Sequence, residues 1–141
     1  MPSNLALKTM NFVHRTILRM TGNRLGASVA GMPSLELTTV GRKTGKPRSV
    51  MLTSPLQEGE TYVVVASRGG DHFHPAWFLN LRDNPAVEVQ VVGHPKQSMR
   101  ARVATVEERA RMWPLIVGKY HNYAGYQKRT EREIPLVLLE R

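Results

Sequence analysis

The stretch GRKTGKPR, residues 41–48, holds Arg42, Lys43, Lys46 and Arg48 with two glycines and no acid. Cations this close repel one another, so an anionic ligand is the natural counterpart. Arginine grips phosphate or carboxylate through two parallel N–H bonds, and Gly41 and Gly45 leave backbone amides free to turn toward such a ligand. The segment is not a Walker A loop. Only three residues separate its glycines, and Pro47 stands where a serine or threonine would hold magnesium. Two readings stay open: an anion grip, or a solvated hairpin tip.

Three other groups could do chemistry. SRGG, residues 67–70, carries a further cation, Arg68, and precedes a helix start marked by Pro75; helix N-termini attract anions. His72 and His74 are two apart, but no carboxylate–histidine set completes a zinc site, which needs three or four ligands. No GxSxG nucleophile elbow is present. Tyr120, Tyr123 and Tyr126 recur every three residues. They suit either amphipathic packing at the core edge or a lid over a flat ligand, with hydroxyls free for hydrogen bonding.

The elements that would position these groups follow from periodicity. Met10, Val13, Ile17 and Met20 form one apolar stripe over residues 1–20, opposite Lys8, Arg15 and Arg19. This predicts an amphipathic helix, packed on the core or lying on an anionic bilayer. TGNRLGAS, 21–28, reads as a linker. Strands are predicted at LELTTV (35–40), RSVMLTSPL (48–56), TYVVVAS (61–67), AVEVQVV (86–92), QSMRARVATV (97–106) and IPLVLLE (134–140). Pro75 opens a short helix over 75–84 at its first position. Thr105 and Glu108 form a capping box for a helix over 106–119, with Pro114 as a candidate interruption. About six short strands with local connections predict a mainly β, α+β architecture: a small, mostly antiparallel barrel with helices outside.

The chain has 141 residues, which suits one domain, and 41% hydrophobic content, which suits a packed core. It has no cysteine, so disulfides and thiolate–metal sites are excluded. No apolar run is long enough for a transmembrane helix or signal peptide, and a cytoplasmic location is expected. The net charge is +9, of which residues 1–48 supply +7, so the partner should be anionic. A nucleic-acid-binding barrel is disfavoured, because aromatics make up 6% of residues and form no base-stacking run on the strands.

LTTVGRKTGKPR, a strand ending in ASRGG, and HPAWFLNLRDNPAVEVQV together resemble the deazaflavin-dependent nitroreductase family, actinobacterial split-barrel proteins that use coenzyme F420. The resemblance runs from about residue 35 to the C-terminus. It implies a split-barrel deazaflavin-binding domain over 31–141, preceded by the helix and linker read from periodicity over 1–30. It also implies that Arg42, Lys43, Thr44 and Arg48 hold the anionic phospholactate and oligoglutamate tail. Met51 and Leu52 would line the groove wall. Val65, Ala66, Ser67 and Arg68, with Ala76, Trp77, Phe78, Leu79 and Asn80, would contact the cofactor. Tyr123 would lie near the ring and the substrate, flanked by Tyr120 and Tyr126. The nitroimidazole-activating member has a tyrosine where this chain has Thr53, so that activity is not carried over.

The implied reaction is hydride transfer from the reduced deazaflavin to an electron-poor small molecule, such as a quinone, an enone or unsaturated lactone, or a nitroaromatic. Ser67 and Tyr123 are the catalytic candidates, as hydrogen-bond donors to charge on the product. Residues 1–20 offer a peripheral contact with the inner face of the cell membrane. A flavin (FMN) enzyme on the same fold is the alternative.

Overall fold

The computed structural model describes residues 28–29 and 31–141. Eight strands lie among them: β1 (Ser28–Val29), β2 (Met32–Val40), β3 (Pro47–Thr53), β4 (Leu56–Glu58), β5 (Thr61–Val65), β6 (Ala86–Val91), β7 (Gln97–Val103) and β8 (Leu136–Glu140). Three helices accompany them, α1 (Ala76–Asp83), α2 (Val106–Lys119) and α3 (Asn122–Lys128), with a short 3-10 turn at Arg68–Gly70. The sheet runs β1-β2-β6-β7-β8-β5-β4, with β3 also on β2, and every pairing is antiparallel. This is the mainly β, antiparallel barrel with outer helices that the strand pattern predicts, in the split form that the resemblance implies. The predicted helix over 1–20 lies outside the described residues.

Three differences from the sequence reading have physical causes. The predicted strand 48–56 is two strands, β3 and β4, separated at Ser54 and Pro55. Proline has no N–H for a ladder, and fully buried Ser54 uses its own polar groups to close the corner. Its N–H donates to Pro33 O at 2.9 Å, and its hydroxyl reaches Val63 O at 2.7 Å and Leu56 O at 2.9 Å. Second, the spaced tyrosines belong to a separate short helix, α3, that the sequence order omits. Third, Pro75 is the N-cap of α1, one residue before the first helical position.

The capping box of α2 forms as read: Glu108 N–H donates to Thr105 Oγ1 at 3.1 Å, and Thr105 N–H to Glu108 Oε1 at 2.9 Å. The helix continues through Pro114. The carbonyl four residues earlier belongs to Ala110, which is exposed, so water can replace the missing N–H.

Side-chain alternation divides the interior in two. Val64, Ala66, Val137 and Leu139 join Leu35, Leu37, Val87, Val89 and Met99 in the barrel core, closed by Phe78 and Leu81 of α1. Their neighbours on the same strands, Val63, Val65, Leu136 and Leu138, face the other way. They pack with Met112 and Ile116 of α2, Tyr120 and Tyr123. Fully burying one such Val or Leu contributes roughly 1.5–3 kcal/mol, so a one-residue slip of β5 or β8 would be costly on both faces.

Candidate functional site

β4 pairs with β5, and β3 pairs with β2. Among the described residues no ladder joins β3 to β5, so the two diverge from the Ser54–Pro55 corner. The predicted site residues fall into two groups.

The first group is the 41–48 loop. Gly41 N–H bonds Lys46 O and Gly45 N–H bonds Gly41 O, both at 2.8 Å. Gly45 sits at φ +71°, where glycine is favoured. A Cβ on Gly41 would lie 2.8 Å from Thr44 Oγ1, so the tight turn excludes a side chain there. Arg42, Lys43, Thr44, Lys46 and Arg48 are all exposed, and among the described residues none of the four cations has an ion-pair partner. Asn80 on α1 holds the loop in place. Its Oδ1 accepts from Arg42 N–H at 3.1 Å and from the Arg42 guanidinium at 3.4 Å. Its Nδ2 donates to buried Thr39 Oγ1 at 3.1 Å, and that hydroxyl donates to Arg48 O at 3.5 Å. Ala76 is exposed, Trp77 and Leu79 are half-buried, and Phe78 is buried in the barrel core.

The second group is the end of β5 with the tyrosines. Val65 and Ala66 are buried, on the two opposite faces of the strand. Ser67 is 9% exposed, and its hydroxyl has no hydrogen-bond partner among the described residues. A buried hydroxyl with no partner among those residues has hydrogen-bonding capacity left to offer a ligand. Arg68 has φ 48°, an uncommon conformation for a residue with a Cβ, and its side chain meets Asp71 at 3.5 Å. Gly70 has φ 83°, and a Cβ there would lie 2.7 Å from Tyr126 O. The turn and α3 therefore touch backbone to backbone. Tyr123 is buried, and its hydroxyl donates to Met32 Sδ at 3.6 Å. Burial raises its pKa above the ordinary 10.0, and a hydrogen bond with Thr53 opposes the rise. Tyr126 meets Tyr123 edge to face with ring centroids 5.9 Å apart, and the buried Tyr120 ring lies under Lys119.

β3 links the groups, with Arg48 near one end and Thr53 at the other, roughly 17 Å apart at the usual strand rise. Buried Met51 and half-buried Leu52 lie between them. No hydrogen bond among the described residues joins the two groups directly, so an extended ligand would have to span them.

His72 and His74 do not share a site. His72 Nδ1 faces Thr130 Oγ1 at 3.4 Å, and His74 Nδ1 faces the Arg132 guanidinium at 3.1 Å. Among the described residues no group of three or more His, Asp or Glu could hold a metal ion. Sequence reasoning missed Arg132 altogether. Its guanidinium donates to Ser67 O at 2.9 Å, Ala66 O at 3.2 Å and Asp71 O at 3.0 Å. It also missed Thr39 and Met32, whose partners are far away in the chain. A separate cavity of about 210 Å³, lined by Tyr62, Val89, Val91, Gln97, Met99 and Arg141 among others, includes none of the predicted site residues.

The family model described as F420H(2)-dependent quinone reductase matches residues 10–141. The chain belongs to this family. An F420H(2)-dependent quinone reductase of Mycobacterium tuberculosis is 40% identical over 133 residues, covering 92% of this chain and 88% of that one. A solved F420-H2 dependent reductase, FDR-A, has a TM-score of 0.66 and 42% identity, covering 77% of this chain and 94% of its own. Another structure, described as a domain-swapped dimer, has a TM-score of 0.66 and 36% identity over 94% of this chain and 99% of its own. The family is one of F420H2-dependent reductases, with the reduced deazaflavin as hydride donor. No helix among the described residues is long and apolar enough to cross a membrane.

Proposed function

We propose that this chain binds F420H2 in the divergence between β3 and β5 and reduces a quinone there. The reading is carried by the 41–48 loop: four exposed cations without ion-pair partners among the described residues, on a turn fixed to α1 by Asn80. In water each pairwise repulsion at such separations is about 1 kcal/mol or less, so the loop tolerates its charge until an anion arrives. The Ser67 hydroxyl, without a hydrogen-bond partner among the described residues, supports a ligand at the other end of the same groove.

The bound cofactor supplies the hydride at its ring carbon C5. Arg42, Lys43, Thr44 and Arg48 hold its anionic tail. Met51 and Leu52 wall the groove, the end of β5 at Val65, Ala66, Ser67 and Arg68 contacts the cofactor, and residues 76–80 flank it. Ser67 donates to the ring system or to the developing product oxyanion. Tyr123 is a neutral phenol whose pKa burial raises further, so by turning its one O–H from Met32 Sδ it can donate to the same charge without carrying one. Thr53 orients that phenol, while Tyr120 and Tyr126 shape the acceptor side and exclude water. Residues 1–20 would dock on anionic lipid, close to lipophilic quinones. The protein would then be peripheral at the inner face of the membrane.

The deciding experiment is a pair of binding titrations, F420 against FMN, with quinone reduction by F420H2 measured alongside. Tighter F420 binding and F420H2-dependent turnover are expected; equal or better turnover with FMN and NADPH would reverse the reading.

A further inference from the structure

We propose that Arg132 is a positioning residue for the cofactor groove, holding the β5 end at Ala66–Arg68 against the segment that carries the tyrosines. The proposal rests on the reading that residues 65–68 line that groove. All three kinds of guanidinium nitrogen are engaged. Nη2 reaches Ala66 O and Ser67 O, Nε reaches Asp71 O, and Nη1 reaches His74 Nδ1. A guanidinium only donates, so His74 Nδ1 is the acceptor and the ring is neutral, with its proton on Nε2. The four acceptors span residues 66–74, which include the left-handed Arg68 and the Gly70 contact with Tyr126.

Arg132 is itself held from α3. Gln127 Nε2 donates to Arg132 O at 2.8 Å, and Gln127 Oε1 accepts from Ile134 N–H at 2.9 Å. A positive φ at a residue with a Cβ costs energy, and such strain persists only where its surroundings over-determine it. The planar fork of Arg132, aimed at carbonyls on both sides of Arg68, is that constraint. Lysine cannot reproduce it, because one ammonium cannot span acceptors set around a plane. The β5 end and α3 are thereby one unit, so the spacing between Ser67 and the tyrosines is set by Arg132.

The test compares wild type with Arg132→Met, Arg132→Lys, Thr105→Ala and Arg48→Glu. Amide hydrogen exchange over 66–74 is read without cofactor, F420 affinity by fluorescence, and melting by circular dichroism. Arg132→Met should speed exchange at Gly70 and Asp71 and weaken F420 binding by about tenfold or more, the scale of one lost charged hydrogen bond. Arg132→Lys should fall between it and wild type. Thr105→Ala breaks a distant helix cap and serves as the destabilised control; it should melt earlier yet bind F420 normally. Wild-type exchange and affinity in Arg132→Met, or an equal affinity loss in Thr105→Ala at matched melting, would overturn the proposal. If Arg48→Glu also binds normally, the groove reading itself has failed; if Arg48→Glu is weakened while both Arg132 variants are not, only the Arg132 proposal has failed. Should Arg132→Met not fold, Arg132→Lys carries the same comparison.

Discussion

Asn80 accepts the Arg42 backbone N–H at 3.1 Å through one end of its amide and donates to Thr39 Oγ1 at 3.1 Å through the other. One buried side chain on α1 thus sets the position of the charged hairpin turn, since Thr39 in turn meets Arg48 O. Replacing Asn80 with leucine should cost about 1–3 kcal/mol in stability, because a buried hydroxyl loses its donor. F420 affinity should fall as well, because Arg42 loses its anchor. Urea unfolding and a cofactor titration on the same sample would measure both.

The loop charges should act on binding and leave the fold alone. Arg48→Glu and Lys43→Glu should weaken F420 binding strongly, while stability stays within about 0.5 kcal/mol, since both side chains are exposed and unpaired among the described residues. Wild-type affinity should also fall between low and high salt. Normal binding by both variants would make the loop a plain hairpin tip.

Tyr123→Phe separates hydroxyl from ring. The hydroxyl reaches Met32 and Thr53 and lies within the buried tyrosine cluster. If it donates to the product oxyanion, kcat should fall by about tenfold, corresponding to ~1.4 kcal/mol, with F420 affinity little changed. Its pKa is raised above 10.0, so it stays protonated throughout the neutral range and should introduce no break in the kcat profile there. Tyr123→Ala should in addition raise KM for the quinone.

His74 should make stability fall on the acid side. Burial lowers its pKa below 6.5, and Arg132 and Arg82 lower it further. The unfolded chain therefore binds the proton more readily than the folded one. Stability is complete above the ordinary value of 6.5 and declines as pH falls from there toward the folded pKa. His74→Gln should flatten this part of a melting-temperature profile, and an unchanged slope would remove His74 as its source.

Residues 1–20 predict a membrane contact that can be checked directly. Full-length protein should float with anionic liposomes, and a chain beginning near Ser28, which keeps β1 and Met32, should not. Equal behaviour of the two would remove the membrane contact from the reading.

The sequence by itself determined the strand and cap pattern, because those signals are local. Alternation in AVEVQVV puts Val87, Val89 and Val91 on one buried face, and Thr105 with Glu108 announces a helix start from three residues' separation. The charged turn was also legible, since like charge concentrated in one turn is visible without a fold. Only the tertiary structure decided what holds these pieces in place. Asn80 and Thr39 are 41 residues apart and Arg132 and Ala66 are 66 apart, and backbone carbonyls, which every residue carries, leave no mark in a sequence when they serve as partners. In the chain Arg132 is one more charge in KRTERE; only the antiparallel return of β8 beside β5 brings it under the turn that it holds.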